Sequence, residues 1–177
     1  MATKDTKITK DDLITRDARP DDAAAIVSIL NPIIEARAFS AFDTPFTVEA
    51  EREYIENLHP RAIFRVAIRQ SDQRLVGFQT LDAFAGYTTH AFDHVGVMGT
   101  YVDAAARRQG VARKLFETTF EAAIAKGYEK IFTYVRADNQ ASLATYLGQG
   151  FRIVGTAERH AKIDGRDIDE IVIERQL

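Results

Sequence analysis

Thr100-Tyr101-Val102-Asp103-Ala104-Ala105-Ala106-Arg107-Arg108-Gln109-Gly110-Val111-Ala112-Arg113 is the stretch on which the fold turns. An apolar run ends at Val102, and a basic turn follows. A glycine then opens a segment of helical period that reaches Lys126 and closes on Gly127. Val111, Leu115, Phe116, Thr119, Phe120 and Ala123 share one face of that helix, with Arg113, Lys114, Glu117 and Glu121 outside. A strand, a glycine turn and a helix start bring free N–H groups and a positive dipole end to one place, which suits phosphate. Four basic residues and no acid lie between Ala104 and Phe116, in a chain of net charge −3. Cations at a helix start oppose the dipole, so either solvent or a bound anion must account for them. On this stretch alone both readings stay open.

Toward the N-terminus, alternation predicts a strand from Leu13 to about Arg19. Pro20-Asp21-Asp22 then opens a helix striped by Ala24, Ile26, Val27, Leu30 and Ile34, interrupted or ended around Asn31-Pro32. Residues 37–47 are rich in Phe and Ala without a period, and read as a loop carrying side chains into a pocket. A second helix starts at Thr47 and stops before His59-Pro60. Strands are expected over 63–69 and 75–81, and a third apolar run over 94–102. Toward the C-terminus come a strand over 131–135 and a short helix over 140–147 capped by Asp138 or Asn139. Strands over 151–159 and 168–174 flank the turn Asp164-Gly165-Arg166. No repeat or linker divides this pattern, so one mixed α/β domain is expected from residue 13 to 177.

The chain has 177 residues, 46% apolar and 28% charged, the balance of a globular protein with a core. Absence of cysteine excludes disulfides, thiolate zinc sites and a cysteine nucleophile. The net charge offers no global basic field for nucleic acid or an acidic membrane, and no apolar run is long enough to span a bilayer. Residues 1–12 are polar without an apolar core, a loose arm or expression remnant rather than a signal peptide, so a cytoplasmic location is expected. Neither Gly-x-x-x-x-Gly-Lys-Ser/Thr nor a strand-following Gly-x-Gly-x-x-Gly is present, and no Gly-x-Ser-x-Gly elbow occurs. Gly148-Gln149-Gly150 reads as a helix stop.

Arg107-x-x-Gly110-x-Ala112 resembles the Arg/Gln-x-x-Gly-x-Gly/Ala signature of the GCN5-related N-acetyltransferases. Asn139-x-x-Ser142-x-x-x-Tyr146-x-x-x-Gly150-Phe151 resembles that family's second signature, at the expected distance. The order of elements matches over about residues 13–176, and the overall look is close to the phosphinothricin-acetyltransferase-like branch. The resemblance implies a mostly antiparallel, twisted central sheet of six to seven strands with a V-shaped splay, flanked by about four helices. It implies acetyl-CoA as co-substrate, its pantetheine arm paired like an added strand along a bulged strand at Val102, Asp103 and Ala104. The pyrophosphate would rest on the turn Arg107, Arg108, Gln109 and on the amides of Gly110, Val111, Ala112, Arg113, Lys114 and Leu115. Asn139 and Ser142 would contact the arm. A homodimer is expected by analogy, with no nucleic-acid or membrane partner.

The same resemblance gives Tyr146 the chemistry. Attack of an amine on a thioester expels a thiolate whose conjugate acid has a pKa of about 8.5, by analogy with cysteine. A phenol in reach can protonate it, a form of help typically worth ~10²–10⁴-fold. Placed three residues after Leu143 on an apolar face, Tyr146 also suits plain packing. Two acids used by branches of the family are missing: their positions fall on Val97 and Tyr134. Glu35, Asp82, His90, Asp93 and His94 remain as candidate bases, with a water relay as the other route. His90-x-x-x-His94 would share a metal only on a helix, and the nearby Gly86, Thr88 and Thr89 argue against one, so no metal is expected. Phe39, Phe42 and Phe46, with Phe84, Tyr87 and Phe92, either line an acceptor pocket or pack the loops. The resulting expectation is direct acetyl transfer from acetyl-CoA to the amine of a small molecule, an amino acid or an analogue, in a ternary complex. No acyl-enzyme is foreseen, since no cysteine and no activated serine is visible. A peptide N-terminus as acceptor, or a silent acyl-CoA-binding module, are the alternatives.

Overall fold

Among the described residues period-two alternation yields seven strands: β1 (Leu13–Asp17), β2 (Ile63–Arg69), β3 (Arg74–Ala83), β4 (Val95–Val102), β5 (Lys130–Arg136), β6 (Arg152–Ile163) and β7 (Arg166–Gln176). They form one sheet in the order β1-β2-β3-β4-β5-β7-β6, with every neighbouring pair antiparallel except β4–β5. The computed structural model describes residues 12–85 and 89–177. The expected loose arm therefore lies outside the described residues up to residue 11. Asp12 is tied down, accepting from Ser71 N at 2.8 Å and Ser71 Oγ at 3.0 Å.

Four α-helices among the described residues cover the sheet: α1 (Ala23–Glu35), α2 (Val48–Glu56), α3 (Val111–Ala125) and α4 (Gln140–Leu147). Successive strand residues point to opposite faces. Accordingly Phe64, Val66 and Ile68 of β2 pack with α1 and α2, while Ile63 and Ala67 join the clusters around α3. None of these helices is long and apolar enough to cross a membrane.

Two expectations need correction. Helix α1 runs through Pro32 to Glu35 instead of breaking at Asn31-Pro32. Proline removes one N–H from the helix ladder, but the buried Ile33 and Ile34 hold the last turn to the core. The Asn31 side chain bonds both the carbonyl and the N–H of Phe46, each at 2.9 Å. The second correction concerns β4, which carries no bulge against β3: the register is unbroken from Gly77↔Val102 to Ala83↔Gly96. The splay arises on its other side. Strands β4 and β5 pair only at Val95↔Lys130 and Gly96↔Ile131, then diverge. Beyond that point the Thr133 hydroxyl donates to the carbonyl of Met98 at 2.8 Å, a side chain doing what backbone no longer reaches. The edge of β4 from Val97 to Val102 is left facing a gap.

Candidate functional site

That gap opens into two connected spaces. The first, about 600 Å³, lies between the end of β4, the start of α3 and the helix α4. Gly110 caps α3 at φ 85°, a left-handed conformation that glycine adopts freely, and a Cβ there would meet nothing within 4 Å. Arg108, two residues before it, also has positive φ, at 60°. The first helix amide with an intrahelical partner is that of Lys114, bonded to the Gly110 carbonyl at 3.0 Å. The amides of Val111, Ala112 and Arg113 therefore face the cleft mouth as unsatisfied donors. Arg107, Arg108 and Arg113 line the same space. The Arg107 guanidinium sits 5.1 Å from the centre of the Phe39 ring, and its Nε donates to the Val102 carbonyl at 3.4 Å.

Most of the residues singled out from sequence converge here: Val102, Arg107, Arg108, Gly110, Val111, Ala112, Arg113, Asn139, Ser142 and Tyr146 all line the cleft. Five do not. Asp103 accepts from Ala105 N at 2.9 Å and pairs with Arg74, so its carboxylate stabilises the turn. Ala104 begins that turn and is exposed. Gln109 donates back to the Ala105 carbonyl at 2.8 Å. Lys114 has its amide inside the helix, and Leu115 is fully buried against Ala67 and Val76. The Asn139 side chain is occupied as well. Its oxygen caps α4 through Ser142 N, and its nitrogen donates to the Phe39 carbonyl at 3.2 Å.

Tyr146 stands where this cleft meets the second space. Its ring packs edge-on against Phe116 and Phe151, which leaves the hydroxyl at the junction. Its hydroxyl lies 3.0 Å from Thr100 Oγ1, which in turn accepts from Gln79 Nε2 at 2.7 Å. Because Thr100 already accepts from Gln79, its own proton is free to go to the Tyr146 oxygen, leaving the phenolic proton for a ligand. Burial pushes the Tyr146 pKa up to about 12, against the lowering effect of the Thr100 bond. The hydroxyl is neutral across the physiological range.

The second space, about 430 Å³, is walled by β4, β5, β7 and the loop after α1, and shares Phe39, Thr100, Tyr101, Ser142 and Tyr146 with the first. Arg136 pins the loop over it. Its Nη1 donates to the carbonyls of Arg37 at 2.7 Å and Ser40 at 3.3 Å, while Nε and Nη2 hold Asp138 at 2.9 and 2.6 Å. Phe39 and Phe42 line this space. Phe46 packs on the α1 core and against Phe42, whereas Phe84 meets Phe92 and Phe132 edge-on, away from it. Tyr87 lies outside the described residues.

Of the five candidate bases only Asp82 lines the space, accepting from the Tyr54 hydroxyl at 3.0 Å. His90 and Asp93 pair with each other on the surface, the carbonyl of His94 caps the start of β5, and Glu35 is exposed at the end of α1. Sequence reasoning missed Glu170, a carboxylate only 3% exposed that faces the same space from β7. Burial raises its pKa, partly opposed by His160 and Arg136. The available signal was an acid beginning the apolar run Ile171-Val172-Ile173.

The Acetyltransferase (GNAT) family model matches residues 31–151. A phosphinothricin N-acetyltransferase of Streptomyces coelicolor is 29% identical over 140 residues, 77% of this chain and 80% of its own. The crystal structure of a ribosomal-protein-alanine N-acetyltransferase from Brucella melitensis is 25% identical with a TM-score of 0.85, covering 93% of this chain and 99% of that one. The structure of yncA from Salmonella typhimurium, solved with its cofactor acetyl-CoA, shares the fold at 20% identity and a TM-score of 0.84, covering 93% and 94%. With a family model spanning most of its length, from the second half of α1 to the end of α4, this chain belongs to the GNAT family of acetyltransferases.

Proposed function

We propose that this enzyme moves an acetyl group from acetyl-CoA to the amine of a small molecule, by direct attack in a ternary complex. The observation that carries the reading is the meeting of two spaces at Tyr146. One has the features of a nucleotide-thioester cleft: free helix-start amides, three arginines and an unpaired strand edge. The other is a smaller chamber under a pinned loop. These features fit acetyl-CoA, with the pyrophosphate at Gly110 to Arg113 and the arm along β4. When bound, it supplies the activated acyl carbon.

The chain's own part is to orient and to manage charge. Tyr146 would donate to the sulfur as the carbon–sulfur bond breaks. Full proton transfer from a phenol of pKa about 12 to a thiolate near 8.5 would cost about 5 kcal/mol. Its main contribution is therefore a hydrogen bond that strengthens as charge grows on sulfur, aided by Thr100 behind it. An acceptor peptide is the second reading, supported by the Brucella neighbour. The loop pinned across the chamber by Arg136 favours a small molecule instead. The test is thiol release and mass-detected acetylated product with acetyl-CoA and a panel of amines and peptides. Thiol release with peptides but no small amine would overturn the choice of acceptor.

A further inference from the structure

The chamber's charge is lopsided. Its lining carries three charged residues: Asp82, Glu170 and Arg136. Arg136 is not available to a ligand, because Asp138 neutralises it and two loop carbonyls occupy its Nη1. Glu170 is in the opposite condition. It lies directly across β5–β7 from Arg136 and across β6–β7 from Ala157, yet its carboxylate forms no ion pair with the Arg136 guanidinium, whose N–H groups go to Asp138 and the loop carbonyls. The exposed His160 ring comes within 3.9 Å of it, Nε2 to Oε2, beyond hydrogen-bond reach. A carboxylate this buried is costly unless a cation meets it.

Resting on the proposed acetyl transfer, we infer that Glu170 receives the acceptor's ammonium group, and that the acceptors are primary amines carrying no carboxylate. An α-carboxylate would enter a chamber with two acids and no free cation among the described residues. Phe39, Phe42 and Tyr101 suit an apolar or aromatic body behind the amine. Val97 and Tyr134, the positions lacking the acids of the resembling branches, line the same chamber, and the carboxylate comes from a different strand.

The step balances. The ammonium gives one proton to Glu170, and the freed nitrogen lone pair attacks the thioester carbon. The carbon–nitrogen bond forms and the carbon–sulfur bond breaks, its electron pair leaving on sulfur. Sulfur takes up the second nitrogen proton, with Tyr146 assisting, and Glu170 later returns its proton to water. The products are amide, free coenzyme A thiol and one proton.

Matched pairs test this on the unaltered enzyme: phenethylamine against phenylalanine, and 3-methylbutylamine against leucine, each read as kcat/KM for thiol release at saturating acetyl-CoA. Each amine should exceed its amino acid at least tenfold. Amino acids equal to or better than their amines would overturn the inference while leaving acetyl transfer standing. Thiol release with no amine, amino acid or peptide would instead sink the transfer reading itself. In Glu170→Gln, kcat/KM for the amines should fall at least thirtyfold, with thermal stabilisation by acetyl-CoA unchanged. A folded variant with wild-type kcat/KM would contradict the assignment.

Discussion

Tyr146 carries two loads, a ring in the aromatic cluster with Phe116 and Phe151 and a hydroxyl at the junction of two spaces. Tyr146→Phe separates them. It keeps the ring, so stability should hardly move, while kcat should drop about ten- to thousandfold with acetyl-CoA affinity unchanged. An unchanged kcat, with chemistry shown to limit the rate, would leave Tyr146 as packing only. On the proposed reading Thr100 acts through Tyr146, as a positioning residue. Thr100→Val should lower kcat roughly 2- to 10-fold, the worth of one net hydrogen bond, without raising KM for acetyl-CoA, and Thr100→Ser should restore it. Failure of the serine variant to recover would point to lost packing. At this scale legibility was uneven. The placement of Gly110 and Arg107 at the cleft was readable because it is local: a turn, a glycine and a helix start are contiguous. Glu170 was not, because its exposure to the chamber depends on how β7 pairs with β5 and β6, which no stretch of chain announces.

Elements show where local rules stop. The start of α3 followed them, and Gly110→Glu should place bulk and negative charge where the proposed pyrophosphate site lies. The stabilisation expected from acetyl-CoA, about 2.7 kcal/mol at a hundredfold excess over Kd, should vanish from its thermal melt. Wild-type stabilisation of that variant would move the cofactor elsewhere. Helix α1 overrode its proline because tertiary burial of Ile33 and Ile34 outweighs one missing ladder bond. Its Asn31 reaches 15 residues ahead to Phe46, a contact invisible to periodicity. Asn31→Ala should cost about 1–3 kcal/mol in denaturant unfolding and raise KM for the acceptor, since the loop bearing Phe39 and Phe42 loses an anchor. A raised KM for acetyl-CoA alone would place the loop's influence in the other cleft. The ends of β6 and β7 extend further than alternation suggested, because the charged residues of their hairpin tip hide the pattern there.

Across the whole molecule, function follows from one incomplete pairing. Strands β4 and β5 meet at two positions and part, and every space described above lies along that divergence. A mostly antiparallel sheet with a splay was expected only through the family resemblance, while the strand order and the parallel β4–β5 contact come from the structure. Composition and period supply elements but not their order in a sheet. The missing bulge shows the limit of that transfer: the splay is real, while β4 reaches it with an unbroken register on its other side. On the proposed reading the two substrates sit side by side in joined spaces and react without a covalent relay, and the chain has no cysteine to serve as one. Initial velocities of thiol release, measured over a grid of acetyl-CoA and phenethylamine concentrations, test this most directly. Double-reciprocal lines that intersect to the left of the axis are the predicted result, the mark of a ternary complex. Parallel lines would mean an acetylated enzyme between two half-reactions, and would contradict direct transfer at Tyr146.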